Sequence, residues 1–507
     1  MDGIAIKETE AKTAAKPLKP AALHVDGKVI GLIAAALALI AVCLMPEQPG
    51  LSVAGQRMLG IMLFAVIVWA TTAISYPVSA GVIMALTALL VGFSPDPATG
   101  ALMGTNAGMK LALAGFASPA FCLVGAALFL AAAMTITGLD RRIALFTLSK
   151  IGTEPKRVVI GVILCGFILS FFVPSTTARV ACLVPIVMGV ISAFKLPATS
   201  KFAAVLMITV AQVDSVWNVG IKTAAAQNMV AVSFIKSITG VDISWLEWFT
   251  AAAPFAVLMS VFLYFTVTRL MPLDDVKIEH GREAIASQLK DLGPMSRNEW
   301  KLLIVSCVLL FLWVTEKKLH PIDTTTSTVA AIALLMIPGF GVMDWKNTVH
   351  RINWGTVLLF GVGISLGSAL LSTKAAQWLA NQIVTNFGLM DATVFGVLAI
   401  MAAFLIVVHL GFASATGLAA AIIPIIIAVL SSLKTPGVNI VGMTMILQYV
   451  VSFGYILPVN APQNMIAYST GTFTVKQFVK VGLVLTAGAY LLVLLLEKTY
   501  WTWIGIV

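Results

Sequence analysis

The sequence predicts an all-α polytopic membrane protein, with about 11 transmembrane helices plus two re-entrant hairpins in an inverted repeat. Three observations predict it. Hydrophobic residues make up 59% of the 507 residues and charged ones only 11%, against about 25% charged in soluble domains. The 54 charges are segregated, with nine in residues 1–28 and ten in 271–299. Two polar interruptions of apolar sequence in the first half recur in the second.

A hydrocarbon core needs roughly 20 apolar residues per helix. Uninterrupted spans are read at 29–45, 58–78, 79–95, 115–138, 250–270, 300–315, 324–341, 354–372 and 477–496. Three longer apolar regions, 158–236, 393–431 and 438–470, carry polar and Pro/Gly punctuation. The interruptions are P-S-T-T-A-R at 174–179, W-N-V-G-I-K-T at 217–223, F-A-S-A-T at 412–416 and L-P-V-N-A-P-Q-N at 457–464. Irregular polar backbone inside a membrane is tolerated only where protein or a water-filled cavity satisfies it. The breaks therefore read as hairpin tips and unwound helix centres. The hairpins are expected near 158–196 and 393–431, their arms looking short for clean spans, and the broken helices at 201–236 and 438–470. Residues 1–28 read as a cytoplasmic tail, 29–270 and 300–507 as the two repeats, and 271–299 as a cytoplasmic linker.

The net charge of +10 has a membrane explanation. Basic residues gather in short loops, as the positive-inside rule expects, with no basic helix interleaved with aromatics. No nucleic-acid partner is expected. Arg141, Arg142, Lys150, Lys156, Arg157, Lys346, Arg351, Lys476 and Lys480 join the tail and linker on the cytoplasmic side, while Lys317, Lys318 and Lys374 are exceptions. The cysteines (Cys43, Cys122, Cys165, Cys182, Cys307) lie in apolar stretches without a C-x-x-C pair, so neither disulfides nor a metal site is expected. The N-terminus does not read as a secretory signal. Neither H-E-x-x-H nor a nucleotide-binding loop occurs, which disfavours an intramembrane metalloenzyme and an ATP-driven pump.

The repeat is explicit. Ser175-Thr176-Thr177 precedes Pro185, as Ser414-Ala415-Thr416 precedes Pro424, with the same ten-residue step. Gln227-Asn228 follows Ser175 by 52 residues and Gln463-Asn464 follows Ser414 by 49. Two matched breaks per half give the inverted-repeat plan of secondary transporters. Hydroxyls and half-helix N-termini at such breaks suit an anion held by neutral donors. For any single Ser or Thr, helix capping is the plainer reading; for the duplicated pair it is not.

At these residues the chain resembles the divalent anion:sodium symporter family, over essentially 29–507. It is most similar to the branch of citrate/succinate, tartrate/succinate and 2-oxoglutarate/malate antiporters. The Ser-Asn-Thr hairpin motifs of that family match 175–177 and 414–416, and its Pro/Asn breaks match 217–228 and 457–464. The stretches Gly138–Phe146 and Ile243–Phe249 also resemble the citrate antiporter branch. The resemblance implies a homodimer in the cytoplasmic (inner) membrane, with a scaffold and an elevator-like transport part. It implies di- or tricarboxylate substrates and no enzymatic activity. Substrate contacts are expected from Ser175, Thr176, Thr177, Asn218, Lys222, Thr223, His409, Ser414, Ala415, Thr416, Pro458 and Asn460, supported by Arg179, Asn228 and Asn464.

The sequence departs from the family motif at its central Asn, which is Thr176 in the first half and Ala415 in the second. In sodium-coupled relatives that Asn helps ligate the cation. Thr keeps one oxygen and Ala none, so a cation site is doubtful and no cofactor is expected. Arg179, Asp214, Lys222 and His409 are the ionisable residues deep in the membrane, where charge is costly and marks function. Plainer readings stand beside that one: an Asp214–Lys222 pair, Arg179 capping a hairpin carbonyl, and His409 as a neutral packing residue. Anion exchange is the expected transport mode, with sodium symport of a dicarboxylate or sulfate as the alternative.

Overall fold

The computed structural model describes residues 27–97, 99–152, 154–273, 281–433 and 435–507. The expected tail at 1–28 lies almost wholly outside the described residues, as does part of the linker. The first half forms α1 (Gly27–Cys43), α2 (Val53–Thr71), α3 (Tyr76–Leu86), α4 (Thr105–Leu113), α5 (Pro119–Thr137) and α6 (Leu139–Ile151). Then come α7 (Pro155–Phe172), α8 (Thr176–Ala193), α9 (Lys201–Gly220), α10 (Ala226–Thr239) and α11 (Trp245–Leu270). The linker contains α12 (Gly281–Asp291). The second half forms α13 (Arg297–Thr315), α14 (Thr324–Met336), α15 (Trp345–Thr348), α16 (Trp354–Ser372) and α17 (Ala375–Asn386). It ends with α18 (Val394–His409), α19 (Ala415–Ser432), α20 (Ile440–Val451), α21 (Pro462–Tyr468) and α22 (Val475–Leu496).

Ten helices among the described residues are long and apolar enough to cross a membrane, and five shorter apolar helices accompany them. The second broken helix is split into α20, of 12 residues, and α21, of seven, and neither half can span alone. The hairpin arms are longer than the sequence suggested. Both arms of the first have 18 residues and those of the second 16 and 18, or about 24–27 Å of helix. Short arms are thus not what marks these pairs; their tips are. In the linker α12 packs on α6 and α8, and Arg142 Nε donates to Glu299 Oε1 at 2.5 Å.

Packing follows the matched order. α9 sits innermost, against α7, α8 and α11, and is buried from Phe202 to Gly220. Its polar side chains, Thr209, Gln212, Asp214, Ser215 and Asn218, are buried with it. α20 likewise packs on α18 and α19. The second half of each broken helix crosses to the other hairpin, α10 onto α19 and α21 onto α8. α5 packs on α14 as α16 packs on α3. Close approach of α16 to α19 and α10 requires glycine: a Cβ on Gly363 would lie 2.4 Å from Ala420 Cβ, and one on Gly367 would lie 2.3 Å from the Phe234 ring.

Candidate functional site

The two hairpin tips share a backbone solution. Pro174 holds the preceding Val173 extended (φ −114°, ψ 95°), so α7 stops at Phe172. Ser175 is extended at φ −149°, ψ 115°, and its Oγ accepts from Ala178 N at 3.3 Å, capping α8. Ser414 repeats this at φ −151°, ψ 117°, accepting from Gly417 N at 3.3 Å and capping α19. The plain capping reading is therefore realised at both serines. A capping hydroxyl still has its proton to donate, so the two roles are compatible.

The unwound centres match as well. Ala225 precedes α10 at φ −148°, ψ 141°, and Ala461 precedes α21 at φ −151°, ψ 140°. Alanine offers no capping oxygen, and neither helix has a side-chain cap. Asn228 Nδ2 donates to Asn218 O at 2.7 Å and Asn464 Nδ2 to Gly454 O at 2.8 Å, each ten residues upstream. These amides tie the two halves of each broken helix together.

A different brace joins each hairpin tip to its break. In the first half Arg179 is completely buried. It donates to Asp214 Oδ1 (2.7 Å), Val173 O (2.8 Å), Asn218 Oδ1 (2.9 Å) and Ala224 O (3.1 Å). Thr176 Oγ1 donates to the same Asn218 Oδ1 at 2.5 Å. In the second half Asn460 Nδ2 donates to the carbonyls of His409 (2.9 Å), Phe412 (3.0 Å) and Leu410 (3.3 Å). One brace is a charged fork and the other a neutral amide. Both donate to backbone carbonyls beside their tip.

Tips and breaks converge on one cavity of about 410 Å³. One wall is polar, built from Ser175, Thr176, Thr177, Asn218, Thr223, Gln227, His409, Ser414, Ala415, Thr416, Ser452 and Gln463. The opposite wall is the apolar face of α5, from Leu123 to Ala132, with Leu359 of α16. The rim carries Thr135, Arg351, Asn353 and Thr356, and Tyr76 stands at the Ser414 tip. Three helices of 14 to 18 residues, α8, α10 and α19, begin at the polar wall, as does the short α21. Each long one contributes roughly half a positive charge there and leaves first-turn N–H groups without helical partners. Among the described residues no Asp or Glu lines the cavity. Neutral donors and positive helix ends together make an arrangement that can stabilise negative charge.

Nine of the twelve residues expected to touch substrate line this cavity. Lys222, Pro458 and Asn460 do not. The Lys222 ammonium is turned away and donates to Ile243 O at 2.6 Å, beside α11. Asp214 consequently pairs with Arg179 and not with Lys222. Pro458 opens the 3₁₀ turn that aims Asn460 back at the hairpin carbonyls. Arg179, Asn228 and Asn464 are fully buried and do not line the cavity. The carbonyl-capping reading of Arg179 also holds, through Val173. His409 is buried with neither ring nitrogen hydrogen-bonded.

The expected set missed Gln227 and Gln463, although both stand in the repeated Gln-Asn motif. Their amides cross between halves: Gln227 Nε2 reaches Ser452 Oγ at 3.4 Å and Gln463 Nε2 reaches Ser215 Oγ at 3.2 Å. Tyr76, Asn353 and Thr356 carried no sequence signal.

A family profile described as the sodium:sulfate symporter transmembrane region matches residues 26–507. A Cupriavidus necator protein named only as a membrane protein is 53% identical, over 94% of this chain and 93% of that one. A sodium-dependent dicarboxylate transporter of Staphylococcus saprophyticus is 26% identical, over 90% and 88% of the two chains. The citrate/succinate antiporter of Escherichia coli is 26% identical, over 74% and 77%. The crystal structure of the Alcanivorax borkumensis YdaH transporter, described as having an unusual topology, shares the fold at TM-score 0.55 and 14% identity, covering 86% of this chain and 98% of that one. The match of profile, relatives and hairpin motifs over nearly the whole chain decides the assignment: this is a multi-pass membrane transporter of the sodium:sulfate symporter family, the divalent anion:sodium symporters.

Proposed function

We propose that the protein exchanges di- or tricarboxylates across the cytoplasmic membrane, holding them between the two hairpin tips. Convergence of both tips and three long helix N-termini on a carboxylate-free cavity carries this reading. Hydroxyl and N–H donors bind a carboxylate without the cost of an isolated buried charge, and they can release it. The family and the named relatives are transporters, which supports a carrier rather than an enzyme.

Exchange is favoured over cation coupling by how the tips are braced. A sodium ion needs several oxygen ligands. At the first tip, Val173 O, Ala224 O and Asn218 Oδ1 already accept from the Arg179 guanidinium. At the second, three carbonyls accept from Asn460, and Ala415 adds no side-chain oxygen. Built-in N–H donors stand where a cation would need free oxygens. The proposal needs no net charge on Arg179, which Asp214 compensates. A second reading, sodium symport of a dicarboxylate or of sulfate, is favoured by Asn228 Oδ1 and Asn464 Oδ1, which are buried without a hydrogen-bond partner.

The halves 29–270 and 300–507 then act as inverted repeats about a membrane-plane axis, with 271–299 as a cytoplasmic linker and the N-terminus cytoplasmic. The hairpins and broken helices move as the elevator part of a homodimer, sliding along the apolar α5 wall. A thermal-shift screen of the purified protein against succinate, citrate, tartrate, malate and sulfate tests substrate class, because a ligand stabilises the state it binds. Stabilisation by carboxylates and not sulfate is expected; a response to sulfate alone would replace the substrate assignment.

A further inference from the structure

The rim of the cavity holds a charge that neither the repeated motif nor the braces include. After α15 the chain makes a 3₁₀ turn, Val349–Arg351, before Asn353 caps α16 by accepting from Thr356 N at 3.2 Å. Two ring contacts fix this turn to α5, and a hydrogen bond closes it. Trp345 stacks on Phe129 of α5 at 5.7 Å, Trp354 meets the same ring edge-on at 6.5 Å, and Trp354 Nε1 donates to Val349 O at 3.1 Å. Ile352 and Val357 are buried with Ala132 of α5. Arg351 is thereby held on the scaffold wall, exposed, facing the cavity that the hairpin tips close from the other side.

Its guanidinium makes no hydrogen bond or ion pair with the described residues. The neighbouring membrane cations are spent elsewhere, Arg179 on Asp214 and tip carbonyls and Lys222 on Ile243 O. Arg351 is the one Lys or Arg among the described lining residues, and no carboxylate there competes for it. An unpaired guanidinium offers a carboxylate two parallel N–H donors. A single positive charge at the mouth of a low-dielectric cleft also draws anions in, over a distance that salt shortens to about 10 Å at 0.1 M.

We propose that Arg351 forms an entry subsite, pairing with one carboxylate of the substrate at the rim before the tips take it, and acting from this face of the membrane only. This rests on the cavity being the carboxylate site. The test is labelled-succinate exchange in vesicles of uniform orientation, comparing wild type, Arg351→Gln and Arg351→Lys from each face, at low and high salt. From the Arg351 face the Gln variant should raise the half-saturation concentration about fivefold or more at low salt, leave the maximal rate unchanged and flatten the salt dependence. The Lys variant, keeping charge without the fork, should fall between. From the opposite face all three should coincide, which separates entry from misfolding. An unchanged half-saturation at the Arg351 face, or an equal rise at both faces, would overturn the subsite. Absence of saturable succinate exchange in the wild type would instead overturn the carboxylate reading, and the subsite with it.

Discussion

Arg179 Nε donates to Asp214 Oδ1 at 2.7 Å, and neither side chain has any exposure to solvent. The pair joins the first hairpin tip to α9 across 35 residues of sequence. Removing one partner strands the other as an uncompensated buried charge, which costs about 3–5 kcal/mol. Arg179→Ala and Asp214→Ala should each lower the melting temperature in detergent sharply. Arg179→Met with Asp214→Leu should recover most of that loss while transport stays impaired, because Val173 O and Ala224 O lose their donor. A double variant as unstable as the singles would show that the pair is not the brace described.

The capping serines allow their two roles to be separated. Asp caps a helix as well as Ser does, but places a carboxylate where the anion should sit. Ser175→Asp and Ser414→Asp should fold with near-normal stability and lose succinate-induced stabilisation altogether. Ser→Ala at either site should weaken binding by about 1 kcal/mol or more. Retained binding in both Asp variants would remove the tips from the site.

His409 makes the opposite prediction for stability and binding. A buried imidazole without partners is a liability to the fold. His409→Leu should therefore leave the unliganded melting temperature unchanged or raised, while the shift produced by succinate or citrate shrinks. If both fall together, His409 is structural.

The matched breaks predict opposite exposure of corresponding loops. Lys195, shortly after α8, and Pro436, shortly after α19, follow their hairpins and are exposed. Single cysteines there, in a background without the five native ones, should react with a membrane-impermeant maleimide from opposite sides. Labelling from the same side would refute the inverted repeat.

Much of this architecture was legible because the membrane penalises irregular polar backbone, so each break had to announce itself in sequence. The repeated Ser and Gln-Asn spacing located both tips and both unwound centres. The partner of Asp214 was not legible. Lys222 lies eight residues on, which suggests a neighbour on one helix, but α9 ends at Gly220 and the extended Ile221 turns the lysine away. Arg179, far off in sequence, reaches Asp214 only through the fold. Asn460 misled for a similar reason: the 3₁₀ turn at 458–460 points its amide at backbone rather than at the cavity. The scaffold wall was invisible because α5 contributes an ordinary apolar helix face, and Arg351 read simply as a cytoplasmic-side charge.

Sodium dependence of exchange decides between the two transport modes. Purified protein in proteoliposomes would be given external labelled citrate or succinate, with and without the same anion inside, in sodium and in potassium buffers. Uptake should require internal anion and proceed equally in both buffers, because N–H donors occupy the tip carbonyls that a cation would need. Strong uptake into empty vesicles driven by a sodium gradient would contradict this, and would make the protein a cation-coupled symporter.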